Sequence, residues 1–209
     1  TIQQISKKIR RQTVNSKDSK YVEKIMNDVE KNKDQALLKY SLKFDKVKLA
    51  KNELKVKNKE IAEAYSIIDP KIVKELKNLK RTIEKTENMI MKSYSNNLKN
   101  VKINNGQSFI KYNIIPLKSV GCYVPGGKAV YPSSLIMSAV PAKVAGVNRI
   151  IACSPPNSNK KINAAVLVAA DICGVNEIYK IGGAQAIAAM GYGTKVIAPV
   201  EKITGPGNK

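Results

Sequence analysis

Residues 120–208 constrain this chain more than any other stretch, because short apolar runs there alternate with small-residue segments of helical length. The runs are Val120–Val124, Arg149–Cys153, Glu177–Ile181 and Val200–Thr204. Between them lie Ser133–Ala145, Lys161–Cys173 and Ala184–Met190, each long enough for two to four helical turns. Strand, helix and strand at this pitch predict βαβ units, hence a parallel sheet with right-handed crossovers. Pro141 falls inside the first helical segment and is expected to kink or shorten it.

The loops after the strands carry the chemistry. Tyr123-Val-Pro-Gly-Gly127, Ser154-Pro-Pro156, Gly182-Gly-Ala-Gln185 and Gly205-Pro-Gly-Asn208 each follow a strand. All four are therefore expected at one edge of the sheet, where open α/β folds bind ligands. Glycine lets backbone N–H groups approach a ligand, and a helix N-terminus just beyond favours an anion such as a pyrophosphate. The polar side chains offered there are few: Tyr123, Gln185 and Asn208.

Upstream, helical spacing of apolar residues predicts two helices between Ser16 and Phe44, broken near Asn32. Lys46–Val56 is a connection with room for a short strand. Asn58 is expected to cap a helix that buries Ile61 and Tyr65. Asp69-Pro70 is a strong start signal for a long helix reaching about Met91, with Ile72, Leu76, Leu79, Ile83 and Ile90 on its packing face. Ser93–Asn105 reads as polar and turn-rich, and Gln107–Pro116 as a strand around Phe109, Tyr112 and Ile114, either one arm of an antiparallel hairpin or a sheet edge. The change of composition near Leu117 suggests a helical region with one or more edge strands over 1–116 and a βα core over 117–209.

The net charge of +21 invites a nucleic-acid reading, which has to be weighed. Residues 1–118 hold 28 Lys and Arg against 13 Asp and Glu, and residues 119–209 hold 9 against 3. The lysines are scattered among Asn, Ile and acidic residues, and aromatic stacking platforms are scarce, so a solvated surface is the preferred account. The rival, a stand-alone basic nucleic-acid-binding module, predicts retention on a filter that weakens steeply with salt.

Cys122, Cys153 and Cys173 show no CxxC spacing and read as buried free thiols of a reducing compartment. No signal peptide or apolar run of about 18 residues appears, so a soluble cytoplasmic protein without a membrane partner is expected. The chain has no histidine, which removes the commonest general base and the commonest zinc ligand. Gly191-Tyr-Gly193 lacks the third glycine of a dinucleotide fingerprint, and Gly121–Lys128 has the wrong count for a P-loop. Ser133 and Ser134 read as helix caps.

Tyr123-Val-Pro-Gly-Gly127, Ala152-Cys-Ser-Pro-Pro156, Gly182-Gly-Ala-Gln-Ala-Ile-Ala188 and Gly205-Pro-Gly-Asn208, in that order and spacing, resemble the histidinol dehydrogenase family. The likeness continues upstream through Asp34-Gln-Ala-Leu, Tyr40-Ser and Lys43-Phe-Asp45, and so covers nearly the whole chain. It implies an enzyme of histidine biosynthesis that oxidises L-histidinol to L-histidine through the aldehyde, reducing two NAD. It also implies a homodimer with one zinc per active site. The implied fold is an aldehyde-dehydrogenase-like, three-layer α/β/α domain with a mostly parallel sheet, preceded by an N-terminal helical region. Tyr123, Gln185 and Asn208 match the family's NAD contacts, the same side chains that loop placement singled out.

The family's zinc ligands and its Glu-His proton-transfer pair follow the GPGN segment, and this sequence ends at Lys209. No catalytic or metal residue can be carried over to a position here. The chain thus reads as an N-terminal part of the enzyme, expected to be inactive alone. A different dehydrogenase of the aldehyde-dehydrogenase-like superfamily ranks lower, since no cysteine stands in a catalytic setting.

Overall fold

The computed structural model describes residues 16–99, 102–104, 109–111, 113–126 and 130–207. Four strands form one parallel sheet: β3 (Ser119–Tyr123), β4 (Arg149–Ser154), β5 (Glu177–Lys180) and β6 (Lys202–Thr204). Their spatial order is β5-β4-β3-β6. Gly121 pairs with Ile151 on one side and Ile203 on the other, while Ala152 pairs with Ile178. β1 (Lys102–Asn104) and β2 (Phe109–Lys111) form a separate antiparallel hairpin, as the alternation around Phe109 predicts. Tyr112 lies outside the described residues, and Ile114 is exposed in irregular chain.

Helices cover both faces. α1 (Ser16–Asn32) and α2 (Asp34–Tyr40) match the expected break near Asn32. Further on come α3 (Asn58–Ile67), α4 (Pro70–Lys99), α5 (Pro132–Val144), α6 (Ala164–Ile172) and α7 (Gly183–Tyr192). Side chains alternate across the strands, so the sheet feeds two cores. Val120, Cys122, Ile150, Ala152 and Ile178 pack with α3, α4, α5 and α6. Ile151, Cys153, Tyr179 and Ile181 pack with α1, α2 and α7 on the other face. The result is a three-layer α/β/α arrangement. Because α5 and α6 lie on one face and α7 on the other, the winding direction reverses between β3 and β6.

Several local expectations are corrected. α4 runs to Lys99 rather than stopping near Met91, since neither Gly nor Pro interrupts 71–99 and the polar end needs no packing face. Its packing stripe is the buried Leu76 with the half-buried Val73, Leu79 and Ile83, whereas Ile72 and Ile90 are exposed. Asp69 caps α4 as expected, its Oδ1 accepting the Lys71 N–H at 2.8 Å. In α3 the cap position falls on Lys57, and Glu60 Oε2 accepts the Lys57 N–H at 3.0 Å, so Asn58 is already inside the helix. Ala64 is the buried residue there; Ile61 is half-buried, and Tyr65 is exposed with its hydroxyl donating to Asp171 at 2.8 Å.

Ser133 and Ser134 do not cap α5, because the helix begins at Pro132 behind Tyr131 with no side-chain cap. Pro141 leaves α5 continuous, so the predicted shortening does not occur; its ring falls in the last turn and removes one backbone bond only. The expected short strand before Val56 is reduced to one antiparallel bridge, Lys55 to Tyr179, on the edge of β5.

The amino edge of the sheet is clamped by ions. Glu177 accepts from Arg149 Nε at 2.7 Å, from Lys55 Nζ at 2.9 Å and from the Tyr179 hydroxyl at 2.6 Å. Burial works to raise its pKa, but the hydrogen bonds from Tyr179, Lys55 and Arg149 win and hold it at about 2. The folded value lies below the unfolded one, so the stabilisation is complete above about pH 4.5 and is lost as pH falls toward 2. Discounted for partial exposure, it amounts to about 1–2 kcal/mol. Urea midpoints at pH 7 and pH 3 should therefore differ less for Glu177→Gln than for the parent chain. An equal acid loss in both would remove Glu177 from the account.

Candidate functional site at the carboxyl edge

The carboxyl ends of β3, β4 and β5 open, as expected, into a cleft of about 440 Å³, whereas the described residues after β6 do not line it. Its walls come from Tyr123, Pro125 and Gly126 after β3, from Ser154–Asn157 after β4, and from Gly183 after β5. Asn163, the α6 cap, also lines it, as does Asp45 from the far side of the chain. The glycines here are spatial requirements. A Cβ on Gly182 would stand 2.6 Å from Pro155 Cβ, and one on Gly126 would overlap the same proline ring. Gly183 has φ +64°, which glycine tolerates and other residues rarely adopt.

Tyr123 ends β3, and its hydroxyl accepts the Gly183 N–H at 3.0 Å. That bond leaves the hydroxyl proton available to another acceptor. Burial raises its pKa, so the group is a neutral donor near pH 7. Gln185 sits in the first turn of α7 with 1% of its surface exposed. Among the described residues neither its Oε1 nor its Nε2 has a hydrogen-bond partner. A buried amide without partners costs about 1–3 kcal/mol, which a ligand or further protein surface would recover. The third side chain singled out from sequence, Asn208, lies outside the described residues. Tyr123 thus contacts Gly183 directly, whereas Gln185, two residues further along the chain, is buried and does not line the cleft.

Lys161 and Asp45 also line the cleft, and loop placement did not point to either. Lys161 is engaged by Glu63 Oε2 at 2.7 Å. Asp45 belongs to a π-helical turn, Ser41–Asp45, and its Oδ2 is buried without a partner among the described residues. Burial lifts its pKa to about 6.

The cysteines hold no site. All three are buried and free, and burial pushes Cys122 to about 12, Cys173 to about 11 and Cys153 upward too. They remain protonated at neutral pH and so are poor nucleophiles or ligands. Among the described residues no group of three or more His, Cys, Asp or Glu could hold a metal ion. Nor is any helix among them long and apolar enough to cross a membrane.

A doubly wound parallel sheet with a glycine-lined cleft at its carboxyl edge defines the class: an open α/β domain of the kind that binds ligands at the carboxyl ends of its strands. The histidinol dehydrogenase family model matches residues 8–209, and the chain belongs to that family. It is 46% identical over 188 residues to histidinol dehydrogenase from Gloeobacter violaceus, covering 90% of this chain and 41% of that one. The Clostridium acetobutylicum histidinol dehydrogenase is 45% identical over 93% of this chain and 43% of its own. The crystal structure of histidinol dehydrogenase from Elizabethkingia anophelis superposes with a TM-score of 0.83 at 32% identity, covering 95% of this chain and 44% of that chain. The chain thus spans about two fifths of the length of the curated relatives it matches.

Proposed function

We propose that this chain supplies dinucleotide-binding loops to an NAD-dependent, zinc-containing histidinol dehydrogenase of histidine biosynthesis, oxidising L-histidinol through the aldehyde to L-histidine. The observation that carries the reading is the cleft of a family member whose wall holds Tyr123 bonded to Gly183 at the start of α7, with the orphaned Gln185 amide buried in the first turn of that helix. Family membership favours it over a stand-alone nucleic-acid module. The cytoplasm as its compartment, and a homodimer as its assembly, belong to the same proposal.

The residues present fit a dinucleotide. Apart from the Gly183 N–H held by Tyr123, the first turn of α7 would offer its N–H groups and a favourable dipole to a pyrophosphate. The Tyr123 hydroxyl would donate its remaining proton to the ligand, and Gln185 would offer one acceptor and two donors. Gly126 and Gly182, packed on Pro155, keep side chains out of the cleft so that the ligand meets backbone. Bound there, the nicotinamide supplies the hydride acceptor. Zinc is different: with no histidine, three protonated buried thiols and no cluster among the described residues, this chain offers no fitting donor set. Nothing in residues 1–209 is assigned to it.

Titration of the purified 209-residue chain with NAD, followed by saturation-transfer NMR, tests the reading. Gln185→Ala and Asn208→Ala should each weaken binding by about 1–3 kcal/mol if the side chain makes a desolvated hydrogen bond. Unchanged affinity in both returns these residues to turn and capping roles. The same chain should form no NADH from L-histidinol, and robust turnover would overturn the division of labour.

A further inference from the structure

Asp45 is placed at considerable local cost. It closes the π-helical turn Ser41–Asp45, a rare conformation that recurs at functional sites. Lys46, the next residue, is held in the left-handed region at φ +60°, which a lysine seldom adopts. The turn is fastened by the Val47 N–H donating to the Ser41 carbonyl at 3.2 Å and by the Phe44 ring stacked on Tyr40 at 5.4 Å. The outcome of this strain is a carboxyl group in the wall of the carboxyl-edge cleft, close enough to Tyr123 for its charge to act on that hydroxyl.

Nothing among the described residues uses that carboxyl. Its Oδ2 is buried and unpartnered, and the lysine that shares the cleft, Lys161, is already paired with Glu63. A carboxylate accepts and does not donate, so its natural complement is a pair of neutral hydroxyl donors. Its last torsion is soft and two-fold, so either oxygen can turn to the cleft. A ribose diol carries such a pair, whereas a ribose 2′-phosphate would bring negative charge against it in a poorly solvated wall.

We propose that Asp45 binds the ribose hydroxyls of the dinucleotide and excludes its 2′-phosphorylated form. The proposal rests on the dinucleotide reading above and adds a specificity-determining residue to it. The test titrates NAD and NADP separately against the purified chain and takes the ratio of the two affinities. The parent chain should hold NADP about tenfold or more weaker than NAD, a difference of about 1.4 kcal/mol. Asp45→Asn, which keeps the shape and removes the charge, should bring the two within about threefold, with the gain on the NADP side. Should that variant not fold by circular dichroism, Asp45→Ser takes its place and is read by the same ratio. An unchanged ratio with NAD still bound overturns this proposal and leaves the dinucleotide reading standing. Failure of the parent chain to bind either nucleotide overturns both.

Discussion

Alanine at position 205 should cost the chain about 4 kcal/mol and lower its melting temperature by roughly 8–16 °C. Gly205 follows β6 directly and has φ +143°, where an L side chain is strained. A Cβ built there overlaps the Tyr123 carbonyl oxygen and comes within 3.0 Å of the carbonyl carbon. Both obstructing atoms are backbone at the end of β3, which pairs with β6 through Cys122 and Thr204, so no rotamer change relieves the overlap. Either β6 leaves the sheet or the end of β3 shifts and carries Tyr123 away from Gly183. Gly207→Ala is the internal control, since its added Cβ meets nothing within 4 Å. That change should stay within about 0.5 kcal/mol. Equal melting temperatures for the two variants would refute the close approach of β3 and β6.

Removing Glu60 should cost about 3 kcal/mol, because it strands a cation. Lys180, at the end of β5, is 5% exposed, and its ammonium is paired with Glu60 Oε1. Breaking a buried pair from one side leaves an uncompensated charge, which costs more than the pair itself contributes. Glu60 also accepts the Lys57 N–H at the start of α3, so Glu60→Ala frays that cap as well. Replacing both partners, Glu60→Leu with Lys180→Met, should recover most of the loss, since the charge disappears along with its counterion. Chemical denaturation of the single and double variants decides it. A double variant as unstable as Glu60→Ala would mean the pair stabilises in its own right.

Much of the sheet was legible because its signals are local. The four apolar runs became β3 to β6, and the connecting lengths required parallel pairing. The loops therefore had to share an edge, and Tyr123 could be placed beside the GGAQ turn from sequence. The misreadings share a cause. The end of α4 was set by apolar spacing, but an exposed helix persists without any until something breaks it. Ser133 and Ser134 have capping chemistry, but Pro132 had already taken the first helical position ahead of them. Asp45 left the weakest trace: the sequence shows Lys43-Phe-Asp45 after a helix, and nothing in that string announces a π turn followed by a left-handed lysine.

The sequence alone determined the alternation of strand and helix, the parallel sense of the sheet, and which loops lie at its carboxyl edge. These follow from periods of two and about 3.6 residues and from crossover length, all properties of near neighbours. Tertiary structure alone decided that α1 and α2 cover one face with α7, that Gln185 is buried without a partner, and that Asp45 reaches the cleft. Each of those depends on surfaces far apart in the chain meeting in one packing solution. No local pattern encodes which of them will touch.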